Sequence, residues 1–143
     1  MQKAGLKKGK IKLIINFSAV LSAIRGERDN LMKKINCHLK GSTYCDGQHV
    51  LRSIVSDGRT IRPADLYLAR DYNCEQDRNC VQVNYRNDGM DVKIGNVNKE
   101  NAPLIATCMD KGGTATIISA TLYGNVDQGQ NVGMYFWVKT VSR

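Results

Sequence analysis

The chain has 143 residues, 21 Lys and Arg against 13 Asp and Glu, a formal charge of +8, and 42% hydrophobic, 24% charged and 6% aromatic residues with two prolines. A chain of this size buries roughly two-thirds of its unfolded surface, so such a composition describes one folded domain and excludes a disordered chain. No stretch reaches the roughly twenty apolar residues of a membrane-spanning helix.

The charge is unevenly placed. Residues 1–40 hold ten Lys or Arg against Glu27 and Asp29, whereas residues 41–143 hold eleven of each sign. Two explanations stand side by side: a polyanion-binding arm, or a solvated helix face preceded by a flexible basic leader. Residues 1–12, native or engineered, are that leader, and Lys7, Lys8, Lys10 and Lys12 are its candidate polyanion contacts. The single domain is expected over residues 13–143.

From Leu13 to Lys40 the apolar residues Leu13, Phe17, Val20, Leu21, Ile24, Leu31 and Ile35 follow an i, i+3, i+4, i+7 rhythm. Arg25, Arg28, Asp29, Lys33 and Lys34 lie opposite. This spacing predicts one long amphipathic helix ending near Leu39, with Gly41 as its stop. Its packing or assembly face is Phe17, Val20, Leu21, Ile24, Leu31 and Ile35.

Beyond the helix the period shortens. HVLRSIVS and RTI flank Ser56-Asp57-Gly58 as a candidate hairpin. VQVNY and MDVKI flank Asn87-Asp88-Gly89 as a clearer one, because Asp-Gly tolerates positive φ and both arms alternate apolar with polar residues. LIATCM, TATIISATLYG and VGMYFWVKTV complete a set of expected strands. Tyr135, Phe136 and Trp137 in the last of them are assigned to the core. The expected fold class is α+β: one long N-terminal amphipathic helix packed on a mostly antiparallel sheet of four to six strands.

Five cysteines, Cys37, Cys45, Cys74, Cys80 and Cys108, occur without a C-x-x-C pair. CHLKGSTYC and CEQDRNC have the look of loops closed by local disulfides, Cys37–Cys45 and Cys74–Cys80, with Cys108 left over. Such bridges imply an oxidising compartment and an extracellular or cell-surface location; reduced cysteines would imply the cytoplasm. Zinc held by Cys37, His38, Cys45 and a distant residue is the alternative for the first loop.

Catalytic signatures are missing. There is no G-x-S-x-G, Walker or G-x-G-x-x-G pattern, and His38 and His49 merely flank a cysteine loop. DYNCEQD offers oxygen ligands without the EF-hand spacing. No enzyme activity, cofactor or metal is therefore expected.

A long helix, NFSAVLSAIRGERDNLMKKINC, running into a cysteine-bearing loop and then antiparallel strands with cysteine-bounded loops, resembles the globular region of type IV pilins and type II secretion pseudopilins. The likeness is one of layout over residues 13–143. It implies a non-enzymatic extracytoplasmic structural or adhesive subunit of a fimbrium, assembling with other copies or related subunits through its N-terminal helix. The alternative from charge is a basic nucleic-acid-binding module using the Lys-rich arm and helix.

Overall fold

The structure is a computed structural model that describes residues 31–143. The chain divides into the units Met1–Met32 and Lys33–Arg143, and the second holds nearly all the described elements. Phe17, Val20, Leu21, Ile24, Lys7, Lys8, Lys10 and Lys12 lie outside the described residues.

Residues expected to finish a long helix form a strand instead, β1, Met32–Lys40. Ile35, Cys37 and Leu39 turn inward, and Lys34, Asn36, His38 and Lys40 alternate with them on the other side. The period is two, not 3.6. The four-residue step from Leu31 to Ile35 satisfies both periods, which is why the helical rhythm seemed to continue. Leu31 is exposed, and Ile35 packs against the core from the strand.

Two further expected strands are helices. Helix α1, Gly47–Ser56, buries Val50, Leu51 and Ile54. Helix α2, Ala102–Asp110, begins with Pro103 in its first turn, where the missing N–H is not needed, and buries Ala102, Ile105 and Ala106. In both, the buried residues recur at three and four positions, the spacing of one helical face. The remaining strands are β2 (Leu66–Arg70), β3 (Val81–Asn87), β4 (Met90–Val97), β5 (Thr114–Tyr123) and β6 (Gly133–Val141).

The strands form one six-stranded sheet in the order β2-β3-β4-β1-β6-β5, in which β2–β3, β3–β4, β4–β1 and β6–β5 pair antiparallel. The edge strands β2 and β5 also approach one another, so the sheet curls toward closure. The expected α+β arrangement of a long helix on an open sheet is thus replaced, among the described residues, by a barrel-like sheet with two short α-helices. The pilin-type layout falls with it, since the helix on which fimbrial assembly and adhesion would depend cannot run through Met32–Lys40.

The β3–β4 hairpin closes where Asp88-Gly89 predicts it. Asn87 pairs with Met90, and Asp88 and Gly89 both have positive φ, at 49° and 83°. Where β1 crosses β4, Gly95 is required sterically: a Cβ there would lie 2.6 Å from the Lys40 carbonyl oxygen. The core runs through the curl, with Phe136, Met134, Val138, Ile117, Ile94, Val81 and Val83 from the strands meeting Leu51 and Ile54 of α1 and Ile105 of α2.

Buried Asn98 ties β1 to the start of α2. Its side-chain oxygen accepts the His38 N–H at 3.0 Å, and its own N–H reaches the His38 carbonyl at 3.1 Å. Asn101 Nδ2 donates to the Asn36 carbonyl at 2.8 Å. The two asparagines thereby bond backbone groups of His38 and Asn36 at the end of the β1–β4 pairing.

Candidate nucleic-acid interface

Strand alternation separates the three consecutive aromatics of β6. Phe136 points into the core, only 1% exposed, whereas Tyr135 and Trp137 on either side point out at 49% and 43%. The expectation that all three belong to the core is corrected by the pleat itself: neighbours on a strand face opposite ways.

Pairing with β5 extends this outer surface. Tyr135 stands opposite Thr121, Trp137 opposite Ser119, Lys139 opposite Thr116 and Tyr123 opposite Gly133. Gly133 has a specific use here. A Cβ on it would come within 2.2 Å of the Tyr123 ring, so the bare glycine lets that ring lie across β6. The Tyr123 and Tyr135 rings then stack, with centroids 4.8 Å apart and planes inclined by 24°. From β1, the His38 ring meets Tyr135 edge-on at 6.1 Å and 66°.

Burial first, and then the neighbouring Tyr135, raise the Tyr123 pKa above its ordinary value. The strands themselves carry only positive charge, and Glu100, next to His38 and Lys40, is an acid that approaches them. Strands β1, β5 and β6 contain no Asp or Glu, and their outward positions include Lys34, Lys40 and Lys139. Neutral ring faces between amine heads suit a ligand with flat apolar groups on an anionic backbone.

The expected cysteine bridges do not form; all five cysteines are free thiols. Cys37 is turned into the core by the alternation of β1, and burial pushes its thiol up to about 11. Cys45 directs its thiol at the Gly41 and Ser42 carbonyls, at 3.7 and 3.9 Å. Cys37 and His38, adjacent on a strand, face opposite sides, which also removes the Cys37–His38–Cys45 zinc arrangement. Cys74 and Cys80 do converge, together with Asp71, their ligand atoms within 4.8 Å of one another. Burial, followed by the neighbouring Cys74 and Asp71, pushes the Cys80 thiol up to about 11, against the pull of Lys93. Cys108 donates to the Thr114 and Val141 carbonyls at 3.5 Å each.

No described helix is long and apolar enough to cross a membrane. No family model and no curated protein matches the chain. Among solved structures, the HIRAN domain of human HLTF is similar at a TM-score of 0.45 and 21% identity, covering 73% of this chain and 74% of that one. A likeness this distant carries no argument about function.

The interface residues that sequence reasoning missed left one usable signal. In GMYFWVKTV the apolar residues Met134, Phe136 and Val138 keep a strict alternation, so Tyr135, Trp137 and Lys139 are the outward set. Tyr123 could not be joined to them from sequence, because that needs the β5–β6 register and the bare Gly133.

Proposed function

We propose that the outer face of β1, β5 and β6 binds single-stranded nucleic acid. The observation that carries the proposal is the stacked Tyr123–Tyr135 pair beside exposed Trp137, on strands that hold lysines and no acid. Unpaired bases present ring faces to such a platform, while the bases of a duplex keep theirs covered by stacking. The lysines meet phosphates and give salt-dependent, largely sequence-tolerant affinity. The role is one of binding rather than catalysis, in a reducing compartment where five thiols persist.

The test is fluorescence anisotropy of a labelled single-stranded oligonucleotide titrated with the full chain. Binding should exceed that to the matching duplex. Tyr135→Ala/Trp137→Ala should weaken it by more than about tenfold, from a stacking contribution of roughly 1–3 kcal/mol per base. Wild-type affinity in a double variant with an unchanged circular dichroism spectrum would sink the proposal.

A further inference from the structure

The β2–β3 connection, Asp71–Cys80, is polar, yet its ends are firmly held. The Asp71 N–H donates to the Cys80 carbonyl at 3.1 Å, and the Cys80 N–H to the Asp77 carbonyl at 3.2 Å. Arg70, whose side chain is almost wholly buried, donates to the carbonyls of both Cys80 and Arg78 and pairs with Asp110 at 2.9 Å. Asp110 also accepts from the Tyr72 hydroxyl at 2.7 Å. These contacts use backbone groups and flanking side chains. Asp71 Oδ1 also accepts the Asn73 N–H at 3.0 Å, and the two sulfurs and an Asp71 carboxylate oxygen lie within 4.8 Å of one another.

Those three groups line a cavity of about 520 Å³ with Cys45, Lys93 and Asn96 on its walls. We propose that Asp71, Cys74 and Cys80 form a binding site for a divalent metal ion of the zinc class, with a fourth position open to water. Tetrahedral coordination with metal–sulfur bonds of about 2.3 Å and metal–oxygen bonds of about 2.0 Å places ligand atoms roughly 3.3–3.8 Å apart. The present spread, within 4.8 Å, closes to that by about 1 Å of side-chain rotation of the half-buried Asp71 and Cys74 toward buried Cys80. Two thiolates select a borderline-soft ion and reject Ca²⁺ and Mg²⁺, which require oxygen ligands.

The walls suit the bound state. Two thiolates and a carboxylate with a divalent ion leave one negative charge, which Lys93 offsets. Asn96 meets the Cys80 sulfur at 3.4 Å, and its amide can turn to donate an N–H to the thiolate. Cys45, engaged by the Gly41 and Ser42 carbonyls, is left outside the ligand set. Bound metal would pin the β2–β3 loop as a knuckle, a role independent of nucleic-acid binding.

The test uses the full chain, reduced and stripped of metal, titrated with Co²⁺ while thiolate-to-cobalt charge-transfer absorption is recorded. The absorption should saturate at one equivalent and be displaced by Zn²⁺. Cys74→Ser and Cys80→Ser should each abolish it, and Asp71→Asn should weaken Co²⁺ binding by at least about tenfold. Cys45→Ser and Cys108→Ser should titrate as the wild type does. A measurement without variants guards against misfolding: Zn²⁺ should protect the half-buried Cys74 from alkylation, located by peptide mass, and leave Cys45 labelled. Equal labelling of Cys74 with and without Zn²⁺, or charge transfer that survives in Cys74→Ser/Cys80→Ser, overturns the assignment.

Discussion

Phe136 and Trp137 are adjacent in sequence and opposite in role, so replacing each by alanine separates packing from binding. Phe136 is 1% exposed among Met134, Val138 and Ile117, and Phe136→Ala should cost about 3–5 kcal/mol of stability through lost burial and the cavity left behind. Trp137 is 43% exposed opposite Ser119, and its removal loses mainly a cross-strand contact and part of its buried ring edge, about 1 kcal/mol. On binding the order reverses. Trp137→Ala should lose a base-stacking contribution of about 1–3 kcal/mol, roughly a 5- to 150-fold weaker affinity, while folded Phe136→Ala keeps the wild-type affinity within about twofold. Stability is read from urea unfolding followed by circular dichroism, and affinity from oligonucleotide anisotropy at a temperature where both variants are folded. If Trp137→Ala destabilised the chain as much as Phe136→Ala and left affinity unchanged, the assignment of the outer face would be refuted.

Three further outcomes follow from the geometry. Gly133→Ala should push the Tyr123 ring off β6, since a Cβ there meets that ring at 2.2 Å; oligonucleotide affinity should fall while the urea midpoint moves little. Asn98→Ala leaves the His38 N–H without its 3.0 Å acceptor and should cost about 1–3 kcal/mol in the same unfolding assay. Cys37 gives a pH dependence: its folded thiol, raised from 9.0 to about 11, keeps a proton that the unfolded chain releases. That stabilisation, about 3 kcal/mol at most, is fully present below pH 9 and lost as pH rises through about 11. Urea unfolding between pH 8 and pH 11 should show this decline, and Cys37→Ala should flatten part of it.

Local chemistry was legible in the sequence wherever one short-range signal decided the conformation. Asp88-Gly89 fixed a two-residue turn, and the alternation on both sides fixed its strands. Where two periods fitted the same residues, the sequence misled. Leu31 and Ile35 extended a helical rhythm into β1, although Ile35, Cys37 and Leu39 alternate as a strand once Cys37 is counted as apolar. Val50, Leu51 and Ile54 form a helical face too short to outweigh the neighbouring Asp57-Gly58 turn signal. Ala102, Ile105 and Ala106 were masked by the apolar run that contains them.

The candidate site was legible only in part because it depends on register. Alternation alone gives Tyr135, Trp137 and Lys139 a common face. Bringing Tyr123 and His38 to it takes the pairing of β5 with β6 and the position of β1 beside them. The cysteines show the same limit. Spacing brought Cys74 and Cys80 together, but the third group that gives the cluster its chemistry, Asp71, enters through the turn of the loop. The charge argument pointed to a polyanion through residues 1–12, whereas the described lysines that bear on it are Lys34, Lys40 and Lys139 of the strands.

Trp137 is the only tryptophan of the chain, so the proposed surface carries its own reporter. The most direct measurement is its fluorescence during titration with a single-stranded oligonucleotide, repeated at several salt concentrations for the wild type and for Lys34→Ala/Lys40→Ala/Lys139→Ala. Base stacking on Trp137 predicts saturable quenching. Loss of three phosphate contacts predicts a log–log salt slope shallower by about 2 in the triple variant. Binding that leaves Trp137 emission unchanged, with the same salt slope in both proteins, would contradict the account.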